Sequence, residues 1–414
     1  MNRTDVAVIG GGAAGLCAAV NVKQNAPHLR VTVLEQLDRV GKKLSLTGNG
    51  RCNISNLNTS PHYFHSEDPQ FFLSAIKEYT CGKTARFFRA IGIEFTADEK
   101  GRVYPYSFQA SSVVDALRFA AEQVGVEIQT NCTVEGLKPL KNGFLLTTGE
   151  IALEASAVLV ATGLYASGDK VGSNGKMFRQ LKEMGYSAKP VTPALVQLKT
   201  ETESVRALKG VKVNAKASLY KNNAVQRTEY GEVLFCDYGL SGPPILQLSR
   251  PVEREKGSFF VSLDLMPEYL PEQIEEKLQE RRTNLKARPV GEFLTGFLQK
   301  RVGQTLLKAA GLRLSDDVSA VDAAAVKKLV KLIKDWRFQV TGTTGFLHAQ
   351  VTAGGLSTDQ FDRETMMSRR HAGLFAAGEI LDVDGDCGGY NLQWAWSSGM
   401  VAAEGIIAFL EGRK

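Results

Sequence analysis

The sequence predicts an α/β protein in which a doubly wound βαβ fold, divided between the two chain ends, carries two inserted units. Three observations support this prediction. A short apolar run, Asp5–Ile9, leads directly into a glycine-rich turn and a helical segment. Near Pro190 the sequence pattern changes to alternating apolar and polar residues, and from residue 267 it changes to the periodicity of helices. A buried-strand pattern returns near the C-terminus, at Leu374–Ala377.

The N-terminal βαβ unit carries a dinucleotide-binding pattern. A second apolar run, Arg30–Leu34, completes a crossover of about 30 residues. In Gly10-x-Gly12-x-x-Gly15, the first glycine permits the tight turn, the second lets the backbone approach a pyrophosphate, and the third allows close helix packing. The helix N-terminus offers unpaired N–H groups. Glu35 ends the second strand, where an acid accepts hydrogen bonds from ribose and disfavours the 2′-phosphate of NADP.

A cationic glycine-rich loop follows, from Gly41 to Asn53. It contains Lys42, Lys43 and Arg51, and it must start near the adenosine ribose because Glu35 immediately precedes it. A positive group beside a flavin would stabilise the anionic reduced form. A solvated surface loop is the alternative, since glycine-rich loops are often plain connections.

A third glycine-rich segment, Gly378–Gln393, lies between the returning strand and the final helix. Its glycines let the chain turn beneath a ligand, and Glu379 is placed to bind ribitol hydroxyls. A calcium loop is excluded, because counting from Asp382 puts Cys387 where the EF-hand requires glycine. A weaker signal is the turn Ala161-Thr162-Gly163, which either passes the cofactor or simply ends a strand.

Between these motifs, the pattern divides the chain into four segments. We predict a cofactor fold formed by 1–189 and 338–414, with a β-rich insertion at 190–266 and a helical insertion at 267–337. Within the last two segments, helices are expected at Pro271–Arg282, Val290–Leu307 and Asp322–Trp336, and strands at Phe338–Val340 and Phe346–Val351.

Composition narrows the classes of function. The 414 residues are 43% hydrophobic, and the net charge of +6 is mild, with no basic arm or dense patch. We therefore expect no nucleic-acid partner. No run approaches the length of a membrane span, and no signal peptide precedes the first strand, which indicates a cytoplasmic protein without a membrane partner. The six cysteines and five histidines show no metal-ligand spacing, so we expect no metal.

These motifs resemble a family of bacterial FAD flavoproteins that includes aminoacetone oxidase and the bile-acid 4,6-dehydro reductase. The resemblance rests on Gly10–Gly15, Gly41–Asn53, Val351–Gly355 and Gly378–Gly399, and so spans the whole chain. It implies FAD, and a fold that is α/β: a discontinuous Rossmann-like FAD-binding domain with an inserted β-barrel-like domain and an inserted helical domain. This chain departs from the family pattern at Gly163-Leu164 and at Cys387.

The motifs and the resemblance give two sets of expected cofactor-binding residues. The motifs indicate Gly10, Gly12, Ala13, Ala14, Gly15, Glu35, Gln36, Ala161, Thr162, Gly163, Gly378, Glu379 and Asp384. By resemblance, the flavin is lined by Lys43, Thr47, Gly48, Asn49, Arg51, Cys52, Asn53, Gly389, Tyr390, Asn391 and Leu392, and the adenine is held by the backbone of Val134.

The expected function is that of an FAD-dependent oxidoreductase that acts on a small-molecule substrate. One reaction is reduction of an activated C=C, as in an enone, with NADH or NADPH as transient donor. The other is oxidation of a small amine such as aminoacetone by dioxygen. A non-catalytic flavin-binding redox sensor and a tRNA-modifying flavoenzyme are rivals. Arg51 and Tyr390 are the candidate catalytic residues, and a redox pair of Cys52 with Cys387 is a minor hypothesis.

Overall fold

The structure is a computed structural model that describes residues 2–149, 152–201 and 203–412. The chain divides into two compact units, Met1–Pro193 with Phe346–Lys414, and Ala194–Gly345. The predicted nucleotide-binding motifs all fall in the first unit, and residues 194–337 of the two predicted insertions fall in the second. The finer division into four segments, with boundaries at 189, 266 and 337, stays a prediction.

The strands in chain order are β1 Asn2–Ile9, β2 Val31–Leu34, β3 Ser55–Asn56, β4 Phe64–His65, β5 Phe95–Ala97, β6 Arg102–Pro105, β7 Glu127–Gln129, β8 Val134–Leu140, β9 Gly143–Thr148, β10 Ala152–Val160, β11 Ala188–Ala194, β12 Leu198–Thr200, β13 Lys212–Lys221, β14 Ala224–Phe235, β15 Gly239–Ser241, β16 Phe259–Asp264, β17 Trp336–Thr343, β18 Val351–Leu356, β19 Leu374–Ala376 and β20 Asp384–Gly385.

The α-helices are α1 Ala13–Asn25, α2 Lys42–Leu46, α3 Pro69–Glu78, α4 Cys81–Ala90, α5 Ala110–Gln123, α6 Lys176–Glu183, α7 Glu203–Arg206, α8 Pro243–Leu248, α9 Arg250–Arg254, α10 Pro271–Asn284, α11 Lys300–Ala309, α12 Ala323–Lys334 and α13 Tyr390–Leu410.

The central sheet of the first unit is parallel around its middle strands. Its order is β7-β2-β1-β10, and β19 pairs with β10 along the edge of β10 that faces away from β1. The register sets Ile9 against both Leu34 and Val160, and Val160 against Ala376. Because these strands run in the same direction, their carboxyl ends meet at one edge, where open α/β sheets bind ligands.

Two long helices, α1 and α13, pack closely beside this sheet. A Cβ on Gly399 of α13 would lie 2.7 Å from the carbonyl oxygen of Ala14 in α1, so only glycine permits this approach. Both helices are buried along most of their length, because their apolar residues face strands and neighbouring helices. This contact links the first and last segments of the chain in one unit.

The second unit is a closed barrel joined to helices by one core. The strand order is β12-β15-β14-β13-β16-β17, and β17 closes the barrel by pairing with both β12 and β16. The predicted barrel-like insertion is therefore confirmed. The barrel core continues into α10, α11 and α12, whose buried residues belong to the same hydrophobic cluster.

One predicted helix and one predicted strand are wrong in part. Within Val290–Leu307, a 3₁₀ turn covers Val290–Glu292 and helix α11 begins only at Lys300. The segment Phe346–Val351 forms a 3₁₀ turn over Phe346–His348, and strand β18 begins only at Val351. Alternation over so few residues does not distinguish a strand from a turn. In the described part of the chain, no helix combines the length and apolarity needed to cross a membrane.

Candidate functional site

The predicted nucleotide-binding motifs meet at the carboxyl edge of the central sheet. Gly10 follows β1, Glu35 follows β2, Ala161 follows β10 and Gly378 follows β19. These turns touch: a Cβ on Gly10 would lie 2.7 Å from the Ala161 carbonyl oxygen and 3.1 Å from the Thr162 Cα. Four segments that are far apart in sequence are thus neighbours.

The three glycines of the first turn have different surroundings. Gly10 adopts φ +104°, a conformation that favours glycine. A Cβ on Gly15 would lie 2.0 Å from the Gly10 carbonyl oxygen, which explains the requirement for close packing there. A Cβ on Gly12 would meet nothing within 4 Å. Gly12 also caps α1, and Ala13 and Ala14 form its first turn, so the helix N–H groups open onto this space.

The carboxylate of Glu35 is buried and held by backbone amides. Gly11 N donates to Oε2 and Leu37 N donates to Oε1, each at 2.9 Å. Burial raises the pKa of this carboxyl, although both amide hydrogen bonds oppose the shift. Each carboxylate oxygen can accept a further hydrogen bond, so ribose hydroxyls fit beside these amides.

Gln36 and Val134, which are also expected on the nucleotide side, lie close to Glu35. The Gln36 side chain donates to the Gly172 carbonyl at 2.6 Å and accepts from Asn174 at 3.0 Å, so it ties two loops together. Val134 begins β8 and is buried. The amide of Cys132 donates to the Glu35 carbonyl at 2.8 Å, which brings the Val134 segment beside the end of β2.

An ion pair joins the second and third glycine-rich loops. Lys43 Nζ lies 2.8 Å from Glu379 Oε2, and both side chains are largely shielded from solvent. Glu379 Oε1 is buried without a hydrogen-bond partner among the described residues, and so is Asn53 Oδ1. Buried oxygens of this kind are rare and mark positions where a ligand donor fits.

The loop from Thr47 to Asn53 is an irregular, mostly exposed turn. Gly48, Asn49 and Cys52 all have φ between 56° and 58°, and Gly50 has φ 81°. Such a run of left-handed residues is costly outside a functional loop. Arg51 is exposed, whereas Cys52 is buried, and burial raises the pKa of the Cys52 thiol to about 12. This keeps Cys52 a thiol, which weighs against the redox hypothesis.

The start of α13 is fixed from several sides. Gly389 caps the helix at φ +98°, and a Cβ there would lie 2.3 Å from the Ser55 carbonyl oxygen and 2.9 Å from Asn53 Oδ1. The Asn391 side chain accepts from Gly385 N at 2.8 Å and donates to Gly385 O at 2.7 Å. The side chain of Asn391 is therefore occupied by the preceding loop.

Three further residues expected to bind the cofactor are Asp384, Leu392 and Gly163. Asp384 is buried in β20, and Leu392 is half-buried on the first turn of α13. Gly163 adopts φ +62° just beyond the end of β10, with nothing within 4 Å of a Cβ. All of the expected cofactor-binding residues thus belong to the first unit.

The structure adds residues that the motifs did not indicate. The Tyr63 ring stacks on Tyr390, with 4.6 Å between centroids and 13° between planes. His65 Nε2 lies 2.9 Å from Asp386 Oδ1. Burial raises the pKa of Tyr390, with the nearby Tyr63 and Asp386 adding to the shift. No local pattern signals this cluster, because its halves lie 321 residues apart in sequence.

Residues 4–405 match the family described as the HI0933-like protein Rossmann domain. The chain belongs to this family. Among curated HI0933-like relatives, it is 36% identical over 405 residues to 3-dehydro-bile acid Δ(4,6)-reductase of Clostridium scindens, covering 97% of this chain and 98% of that protein. It is 30% identical over 417 residues to ribosomal RNA dihydrouridine synthase of Escherichia coli, covering 99% of each.

Solved structures resemble the HI0933-like chain in fold. A 3-ketosteroid-Δ4-(5α)-dehydrogenase from Rhodococcus jostii RHA1 matches with a TM-score of 0.51 and 15% identity, over 97% of each chain. A 3-ketosteroid Δ1-dehydrogenase from Sterolibacterium denitrificans matches with a TM-score of 0.52 and 13% identity, over 99% of this chain and 100% of the other. At these identities the likeness shows the fold alone.

The family assignment confirms the resemblance inferred from the motifs and the Rossmann-type fold. The HI0933-like relatives also confirm that the chain is an enzyme of the oxidoreductase class.

Proposed function

We propose that this protein is an FAD-dependent oxidoreductase that reduces a C=C bond conjugated to a carbonyl group in a small molecule. The observation that carries the proposal is the meeting of Gly10–Gly12, Glu35 and Gly378 at one sheet edge. The full-length relationship to a reductase of a 3-dehydro Δ(4,6) substrate supports the reaction type, since that name describes a C=C conjugated to a ketone.

The first turn of α1 and the end of β2 would hold the nucleotide half of FAD. The pyrophosphate would lie in the open space at Gly12, against the N–H groups of Ala13 and Ala14. Glu35 would accept hydrogen bonds from the ribose, and the Val134 backbone would contact the adenine. The space and the buried acceptor are both present, so the residues fit the group.

The flavin half would lie between the Thr47–Asn53 loop and the start of α13. Glu379 Oε1 and Asn53 Oδ1 would accept hydrogen bonds from the ribitol hydroxyls or the ring N–H. The α13 N-terminus and Arg51 would favour negative charge on the ring. FAD supplies hydride transfer when it is bound; the protein supplies orientation and electrostatics.

The physiological donor is proposed to be NADH or NADPH, and anaerobic mixing tests it. We expect the flavin band of the purified protein to bleach on addition of NADH or NADPH, and to recover on addition of an enone such as 2-cyclohexen-1-one. Recovery with the enone, compared with the saturated ketone cyclohexanone as control, would establish C=C reduction. Bleaching without recovery by any conjugated carbonyl would contradict the proposal.

The same experiment separates the alternatives. If neither NADH nor NADPH bleaches the flavin but aminoacetone does, and dioxygen restores the band, the protein is an amine oxidase. If no donor and acceptor pair turns over, a flavin-binding redox sensor is the better interpretation.

A second candidate substrate is uridine in RNA. Dihydrouridine differs from uridine by saturation of a C=C conjugated to a carbonyl, so the relative from Escherichia coli catalyses chemistry of the same type.

The distribution of charge along the chain also favours RNA as a candidate substrate. Residues 194–345 contain 24 Lys and Arg against 18 Asp and Glu, so the whole excess of +6 lies in the second unit. Exposed Lys327, Lys328 and Lys331 share one helix there.

Charge reversal on α12 tests the RNA candidate. If the substrate is RNA, Lys327→Glu, Lys328→Glu and Lys331→Glu together should weaken binding to ribosomal RNA and lower the salt dependence of log K by about 2 to 3, as expected for three phosphate contacts. The matched control reverses Lys138, Lys141 and Lys170, which are exposed in the first unit. No binding by the unaltered protein would contradict an RNA substrate, and equal loss in both variants would contradict a binding surface on α12.

A further inference from the structure

The two rings of the aromatic pair beside the start of α13 differ in exposure. Tyr390 is 5% exposed, whereas Tyr63, which stacks on it with 4.6 Å between ring centroids, is only half-buried. The two side chains are also hydrogen-bonded to each other. Tyr63 is therefore the member of the pair that a bound molecule can reach.

Tyr63 is held in place by a short clamp, which we define as β4 with β20 and the side chains that join them. His65 pairs with Asp384, and Phe64 pairs with Gly385. The amide of Asp386 donates to the Tyr63 carbonyl at 2.9 Å. The His65–Asp386 contact at 2.9 Å closes the clamp beyond the last backbone pair. Phe64 packs edge-on against Tyr390, with 5.6 Å between centroids.

The clamp is also continuous in sequence with the start of α13, beside which the flavin is proposed to lie. Gly388 and Gly389 follow Asp386 and Cys387, and the Asn56 side chain donates to the Gly388 carbonyl at 2.9 Å. The aromatic pair thus lies beside the residues proposed to hold the flavin, within the same unit. A proton donor at this place would serve a substrate bound against the ring.

We propose that Tyr63 is the acid that protonates the substrate, with Tyr390, His65 and Asp386 as positioning residues. The inference rests on the proposed function. The β-carbon of the conjugated C=C accepts a hydride, which reduced FAD would supply when it is bound; the π electrons move to the α-carbon and carbonyl, and the α-carbon takes the proton of the Tyr63 hydroxyl. The Tyr390 hydroxyl can donate a hydrogen bond to the Tyr63 oxygen once the proton has left, and that oxygen regains a proton from water.

The test separates the two half-reactions. We expect Tyr63→Phe to keep its flavin-to-protein ratio, its bleaching by NADH or NADPH and its affinity for cyclohexanone, read from the oxidised flavin band. Reoxidation by 2-cyclohexen-1-one should slow by at least about 100-fold, the usual contribution of a general acid. Added imidazolium should speed this step in Tyr63→Phe and not in the unaltered protein, because an external acid replaces the missing hydroxyl.

The positioning residues and a control complete the design. Tyr390→Phe and His65→Asn should each slow reoxidation less than Tyr63→Phe and should show no response to imidazolium. Tyr106→Phe, at a residue that is 73% exposed, should behave like the unaltered protein. Normal reoxidation in Tyr63→Phe, or loss of its flavin or cyclohexanone binding, would overturn the acid role. If the unaltered reduced protein reacts with no conjugated carbonyl, the proposed function is wrong, and the acid role of Tyr63 is then wrong as well.

Discussion

Gly12→Val is expected to give a folded protein that retains almost no FAD. The structure places nothing within 4 Å of a Cβ at this residue, and its φ of −86° suits any amino acid. The valine therefore meets no protein atom, but it projects into the space that the pyrophosphate requires. We expect the flavin-to-protein ratio to fall from about one to below about 0.1, measured by absorbance after gel filtration.

Gly15→Val provides the contrast. Its Cβ would lie 2.0 Å from the Gly10 carbonyl oxygen, so α1 cannot keep its contact with the end of β1. We expect a loss of stability of about 3 kcal/mol or more, as for severe overpacking, and therefore poor soluble yield. If Gly12→Val were flavin-replete, or as unstable as Gly15→Val, the proposed position of the cofactor would be wrong.

Gln393→Leu is expected to destabilise the first unit strongly. Gln393 is fully buried: its oxygen accepts from Ser55 Oγ at 2.5 Å, and its amide donates to the Tyr79 carbonyl at 2.8 Å and to Thr84 Oγ1 at 3.0 Å. Leucine fills a similar volume but removes all three hydrogen bonds, and the side chains of Ser55 and Thr84 are themselves buried. A cost of about 2–4 kcal/mol follows from the usual penalty for such groups.

Release of flavin fluorescence on heating measures this effect, because it reports the unit that is proposed to bind FAD. The midpoint should fall by several degrees in Gln393→Leu and stay unchanged in Gln123→Leu, an exposed position at the end of α5. A flavin ratio that falls at room temperature without a change in the midpoint would instead make Gln393 a direct ligand residue. That outcome would contradict its role as a buried link between α13, β3 and α4.

The sequence was sufficient wherever the deciding interactions are local. The β1 strand, the turn at Gly10–Gly12 and the start of α1 are consecutive, so the apolar run, the glycine spacing and the helix start can be recognised within a few neighbouring residues. For the same reason the position of Glu35 could be predicted from its distance to Gly15. The barrel could not be read from periodicity, and it was expected only through the family resemblance. Its closure depends on β17, which comes from beyond the helical segment.

What the sequence by itself determined is the glycines and the acid at the carboxyl edge of the central sheet, where the cofactor is proposed to bind, and the family to which the chain belongs. Only the tertiary structure decided which side chains work together there. Lys43 meets Glu379 across 336 residues, and His65 meets Asp386 across 321. Such contacts depend on how α13 and β20 return to the first strand, because folding, and not sequence spacing, brings distant segments within hydrogen-bonding distance.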